Sequence, residues 1–209
     1  MKEENLPKWL EWAREIQALS QTGLAYSQSE YDTERFTRLM EIAAEITSTY
    51  SHLDKEKLLQ NFLAQPGYAT PKVDIRGAVI RDNRILLVQE KADGKWCMPG
   101  GWADVGESAS QAVAREVLEE SGFVVNPVKV IGLYDANRSG RPLELYHAVK
   151  VIFMCELNGG RATPSNETLA VDFFDFDQFP PLSTNRTNKK YLAEVLAHHK
   201  DKNRATWFD

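Results

Sequence analysis

Between Gly101 and Phe123 the chain sets three glutamates on one side of a helix whose start and end are both written locally. Ser108 and Gln111 have the spacing of a capping box, in which each side chain satisfies the other residue's backbone N–H. Gly122 stands where a left-handed residue closes a helix. Val113 and Val117, four apart, share a face that can seat on a core. Glu116, Glu119 and Glu120 are three and four apart, so they too share a side. The spacing predicts a helix over residues 109–120.

That clustering carries a cost. Like charges four apart on a helix repel by a few tenths of a kcal/mol, and the C-terminal end is the wrong end of the helix dipole for negative charge. Arg115 can meet Glu119 one turn on and offset part of this. A hard divalent cation does so better, because Mg²⁺ takes carboxylate oxygens, keeps waters and bridges to phosphates. Taken alone, a solvated acidic helix face remains the commoner meaning of adjacent glutamates.

The residues around this helix read in two styles. Before residue 66 the apolar residues recur at helical spacing: Trp9, Trp12, Ile16 and Leu19, then Phe36, Leu39, Met40, Ala43, Ile46 and Tyr50, then Leu58, Leu59, Phe62 and Leu63. Gly23 is expected to break the first helix, Asp32 to cap the second and Asp54 the third, with Pro66-Gly67 as the stop. Such short helices cannot bury their stripes alone and need the rest of the chain or a second copy. From Val73 the pattern is that of strands, at residues 73–80, 85–88, 124–133, 146–155 and 171–176. Asp82-Asn83 turns the first pair, and a further helix falls at residues 188–198. Strands with interleaved helices indicate an α+β or layered α/β domain.

Composition removes several function classes. A net charge of −5 argues against a dedicated nucleic-acid binder. No stretch approaches the roughly 20 apolar residues of a membrane span. The N-terminus reads Met1-Lys2-Glu3-Glu4-Asn5 without an apolar signal core, and Cys97 and Cys155 form no C-x-x-C pair. A cytoplasmic protein with reduced thiols is expected.

The full spacing G-x5-E-x7-R-E-U-x-E-E-x-G-U, with U bulky and apolar, runs from Gly101 through Glu107, Arg115, Glu116, Glu119, Glu120 and Gly122 to Phe123. Seven fixed letters at roughly 0.06 each match by chance about once in 10⁸ windows. The pattern resembles the signature of the Nudix hydrolase family, with Phe123 where an aliphatic residue is more usual. Lys95–Gly101, ending in Pro-Gly-Gly, resembles the family's approach to it, and Phe173-Phe174 with Phe179-Pro180-Pro181-Leu182 its late strand and turn. Gly23-Leu24-Ala25-Tyr26 and Tyr31–Phe36 are similar to the helical extension of a bacterial subgroup acting on nucleoside diphosphates linked to another moiety.

The resemblance implies an α+β fold, a layered α/β/α sandwich with a mixed sheet over residues 72–209. To this it adds a small all-α, dimerising extension at residues 1–66. It implies Mg²⁺, or Mn²⁺ in its place, on Glu116, Glu119 and Glu120 with the Gly100 carbonyl. Arg115 and Glu107 become the pair that orients the acids. The reaction is attack of water on a diphosphate of the ADP-ribose or CDP-choline type. Glu119, Glu120 or a loop acid, Glu167, takes the proton, with His147 the weaker rival. Arg76 and Arg186 become phosphate ligands, against the plainer reading of surface ion-pair residues. Two alternatives stay open: an enzyme for nucleoside triphosphates or RNA ends, and a non-catalytic nucleotide sensor. The sensor is disfavoured by the intact glutamates and by residues 187–209, too few for a winged helix. No membrane partner is expected, and RNA would be at most a side substrate.

Overall fold

The computed structural model describes residues 7–136 and 146–209, which divide into two compact units, one of residues 7–71 with 146–147 and the other of residues 72–136 with 148–209.

The first unit holds three helices, α1 (Lys8–Tyr26), α2 (Glu30–Thr49) and α3 (Lys55–Leu63). Its core is Met40, Ala43, Ala44, Leu58 and Phe62, with Ile16, Leu24 and Leu59 packed on it. Three local expectations need correction. Gly23 does not end α1, which runs on to Tyr26. A side chain at Gly23 would enter the Phe36 ring, so this glycine serves close approach of α1 and α2. Asp32 is not the cap of α2, which starts after Ser29; Asp32 lies in the first turn, where its charge suits the dipole, and pairs with Arg35 at 2.7 Å. The inner side of α1 is Leu10 and Ala13, while Trp12 and Leu19 are 57% and 60% exposed. Of the expected stripe Ile16 packs on the core, while Trp12 and Leu19 are turned outward. Asp54 does cap α3, accepting from the Lys57 N–H at 2.9 Å.

The second unit is built on a mixed sheet. β1 (Lys72–Arg81) pairs antiparallel with β2 (Arg84–Glu90) across Asp82-Asn83, whose φ of 53° and 57° mark a type I′ turn. β3 (Trp96–Cys97) and β6 (Thr168–Asp175) also pair with β2. β5 (Ala148–Gly160) runs parallel to β1, β4 (Phe123–Asp135) antiparallel to β5, and β7 (Trp207–Phe208) parallel to β4. The helices α4 (Ala109–Ser121) and α5 (Lys189–Lys200) cover opposite faces. Alternation along the strands makes this sandwich: Ile75, Val79 and Leu86 pack with Val113 and Val117 of α4, whereas Ala78, Ile85 and Leu87 pack with Tyr191, Leu192 and Val195 of α5.

The layered mixed-sheet expectation therefore holds, with two boundary changes. β5 begins at Ala148, leaving His147 outside the strand, and it continues to Gly160. The loop that carries Glu167 is residues 161–167. The two-residue strands β3 and β7 are too short for a periodicity signal. Among the described residues no helix is long and apolar enough to cross a membrane.

Candidate active site

The site grows from the two ends of α4. Ser108 and Gln111 form the reciprocal capping box, and Gly122 closes the helix in the left-handed region at φ 76°. Ala112, Val113 and Val117 fill the core. With that face committed, Glu116 and Glu120 come up against the Gly100–Gly101 turn. The Gly100 N–H donates to a Glu120 carboxylate oxygen at 2.8 Å, and a Cβ built on Gly101 would stand 3.2 Å from Oε2 of Glu116. The turn is fixed by β1: the Ile75 N–H donates to the Gly101 carbonyl at 2.8 Å and the Gly77 N–H to that of Pro99 at 2.9 Å. Gly100 has φ 139°, and a side chain there would run into the Ile75 carbonyl. Only glycine permits this approach.

Arg115 ties the acids together. It contacts Glu107 through Nε, at 3.1 Å to both carboxylate oxygens, and through Nη2. Its Nη1 donates to Glu116 at 3.0 Å and to Glu119 at 2.9 Å, and its Nη2 reaches Asp104 at 3.3 Å. Glu119, however, has its side chain 58% exposed, on the rim with Arg115. The acids nearest the turn are Glu116 and Glu120.

Electrostatics single out the same two. Burial, reinforced by Glu90 and Glu116 and opposed by Arg76 and the Gly100 N–H, pushes the Glu120 carboxyl up to about 7. Burial also raises Glu116, against the pull of Arg115. In both, the cost of burial outweighs the arginines nearby.

Arg76 and Arg186, expected on phosphate, are both engaged by acids. Arg76 is 5% exposed, so it is no surface residue; its Nε donates to Asp74 at 2.9 Å and its Nη1 to the Met98 carbonyl at 3.3 Å. Asp74 also meets Lys150 at 2.8 Å, and Lys150 donates to the Arg186 carbonyl at 2.8 Å. Burial works to raise the Asp74 carboxyl, but Arg76 and Lys150 outweigh it and hold it down. The Arg186 side chain, 30% exposed, faces Glu90 at 3.3 Å and donates to the Ser183 hydroxyl at 3.1 Å. Glu90 is buried and accepts from the Cys97 thiol at 3.1 Å; burial raises that thiol well above its ordinary range.

Glu167 is exposed in the loop before β6. Its backbone is fixed, with its carbonyl accepting from the Lys91 N–H at 3.0 Å and its N–H donating to the Ser165 hydroxyl at 3.0 Å. His147 is exposed just ahead of β5. Sequence reasoning missed Asp74, Lys150 and Glu90. The available signal was clearest at Lys150, a lone charge among the apolar residues 148–155, where an unpaired charge is too costly to keep.

Among the described residues no three acidic, imidazole or thiol groups converge as a ready metal cage. The donor set nonetheless fits Mg²⁺. That ion needs only one or two carboxylates, completing its shell with water and substrate phosphate. Glu116 and Glu120 meet at one turn, and burial raises both carboxyls there.

Known proteins resemble the chain over most of its length. The family model described as "NUDIX domain" matches residues 71–195, and that described as "UDP-X-like, N-terminal oligomerisation domain" matches residues 7–62. YjhB of Bacillus subtilis (strain 168), whose name assigns it provisionally as an ADP-ribose pyrophosphatase, is 38% identical over 97% of both chains. A crystal structure of a UDP-X diphosphatase matches 97% of this chain and 98% of its own, at 29% identity and TM-score 0.62. An ADP-ribose pyrophosphatase structure from Streptococcus suis 89-1591 matches 67% of this chain and all of its own (100%), at 38% identity and TM-score 0.62.

Proposed function

The chain belongs to the Nudix hydrolase family, and from that premise we propose that it hydrolyses the diphosphate of a nucleoside diphosphate linked to a second moiety, of the ADP-ribose or CDP-choline type. The products are a nucleoside monophosphate and the phosphorylated moiety. The observation that carries this reading is the meeting of Glu116 and Glu120 at the Gly100–Gly101 turn. The names borne by the relatives that align over almost the whole chain support the substrate class.

In this reading Glu116, Glu120 and the Gly100 carbonyl hold Mg²⁺ or Mn²⁺, with Glu119 joining from the rim. The bound cation supplies charge neutralisation at the diphosphate and a more acidic water. Arg115, anchored by Glu107, keeps Glu116 and Glu119 oriented; partners of ligands matter because an unoriented carboxylate binds poorly. Water forms a bond to one phosphorus as the bridging P–O bond breaks, and its proton passes to a carboxylate. Glu119, Glu120 and Glu167 are the candidate acceptors. Arg186 is the candidate phosphate clamp, exchanging Glu90 for substrate, because its guanidinium is partly open whereas that of Arg76 is enclosed.

A chromatographic product screen with Mg²⁺ tests this. ADP-ribose, CDP-choline, NADH, a diadenosine polyphosphate, ATP and a short RNA would each be offered with an EDTA control. AMP or CMP released from a diphosphate, and abolished by EDTA, is the expected result. Turnover of ATP or RNA alone would replace the substrate class, and binding without turnover would make the protein a sensor.

The helices of residues 1–66 are proposed as a dimerising extension. Trp12, Leu19, Tyr26 and Tyr31 are each more than half exposed within one chain, more apolar surface than an isolated helical unit ordinarily leaves in water. The oligomerisation model matching residues 7–62 supports this. Light scattering at micromolar concentration is expected to return twice the 23.7 kDa chain mass; the single-chain mass would refute it.

A further inference from the structure

We propose that Trp102 is the platform on which the nucleobase of the substrate stacks, an assignment that rests on the nucleoside diphosphate reading above. Trp102 directly follows the turn that meets the acids, and its backbone is held like a short strand beside β1. It bridges antiparallel to Asp74, flanked by the bond from the Ile75 N–H to the Gly101 carbonyl at 2.8 Å and from the Ala103 N–H to the Val73 carbonyl at 2.9 Å. A platform needs a fixed backbone, and this one is fixed on both sides.

Side-chain alternation gives its direction. Gly101 points at the Glu116 carboxylate, and Ala103 packs on the core beneath α4. Trp102, between them, therefore points to the opposite face. Residues directly opposite across an antiparallel bridge share a face, which places Trp102 with Asp74. Asp74 in turn binds Arg76 and Lys150, and Lys150 holds the carbonyl of Arg186. The indole and the candidate phosphate clamp thus share one side of the sheet, while the two buried acids approach the turn from the other.

The ring is also exposed. Trp102 is 47% accessible although its backbone is hydrogen-bonded to β1 on both sides. Tryptophan ordinarily buries most of its large surface, and an open face beside a phosphate-handling centre suits a base, because every base has a π-face. A diphosphate held by Arg186 and a base held by the indole then lie on the same side of the sheet, with the turn between them and the acids of α4. Stacking is tolerant of sequence, so this platform accepts purine and pyrimidine alike.

Trp102→Phe and Trp102→Ala in the full chain, compared with wild type, provide the test. Each is assayed on the best nucleoside diphosphate substrate and on a diphosphate diester with two alkyl groups and no base. Trp102→Ala is expected to raise KM for the nucleotide about 10-fold to 100-fold with kcat changed less than about 3-fold, the range that loss of one stacked base gives. Trp102→Phe should recover most of the loss, and the base-free diester should be cleaved alike by all three proteins. Equal KM for the nucleotide in wild type and Trp102→Ala overturns the assignment, as does an equal loss on the base-free diester, which marks a turn disturbed as a whole. Failure of wild type to cleave any diphosphate overturns the earlier reading instead, so the two failures are distinct.

Discussion

Glu120→Gln should reduce hydrolysis by about 10³-fold while making the metal-free protein more stable above neutral pH. Glutamine keeps an oxygen to accept the Gly100 N–H but removes the negative charge offered to a cation. Electrostatic assistance from a bound cation is worth several kcal/mol in the transition state, and each 1.36 kcal/mol is a factor of ten. The stability half follows from the carboxyl held up to about 7 against an ordinary 4.5. A carboxyl whose folded value is raised gives stability that is fully present below the unfolded value and lost as pH rises through the folded one. At pH 8 without metal, ionised Glu120 therefore costs on the order of 3 kcal/mol, which the glutamine variant does not incur. Melting curves in EDTA should show the variant several degrees above wild type at pH 8 and level with it below about pH 4.5, the ordinary value of the carboxyl. Equal melting at both values would show that the acid is not starved of charge.

Asp74→Ala is expected to be among the most destabilising single changes in the catalytic unit. It leaves Arg76 and Lys150 enclosed without their shared anion; the Lys150 side chain is 0% exposed. Removing one member of a buried ion pair costs about 3–5 kcal/mol because the remaining charge stays desolvated. Urea unfolding should report a loss of that size. Adding Lys150→Met to Asp74→Ala should restore part of it, since one orphaned charge is then gone. A loss below about 1 kcal/mol would mean that water reaches the cluster. The same change should weaken turnover, because Arg76 holds the Met98 carbonyl just before Gly100, and Lys150 holds that of Arg186.

How much of this was legible depended on the range of the interaction. The capping box at Ser108, the closing Gly122 and the common side of Glu116 and Glu120 are set within one helix, and local spacing gave them. The turn at Asp82-Asn83 and the cap at Asp54 were legible for the same reason. Gly23 misled because a glycine inside a helical pattern reads as a break, while its cause here is the Phe36 ring of another helix. The exposed Trp12 and Leu19 misled because periodicity finds an apolar stripe but does not say which part a neighbour covers. Arg76 and Arg186 were found, and an ion-pair role was weighed for each, but their partners were not: Lys150 comes to Asp74 across the β1–β5 pairing, and Glu90 is almost a hundred residues from Arg186 in the chain. Glu119 has the right helical spacing, yet Arg115 draws it to the rim, a competition that sequence alone does not rank.

The most direct test is a calorimetric titration of Mn²⁺ into the metal-free protein, run on wild type and on the Glu116→Gln/Glu120→Gln double variant. Wild type is expected to bind with a clear saturating isotherm. The double variant should show at least a 100-fold weaker affinity while retaining a cooperative melt, a loss of about 3 kcal/mol or more of binding free energy. Equal affinity in the two folded proteins would place the cation elsewhere and contradict the assignment of the α4 glutamates as its centre.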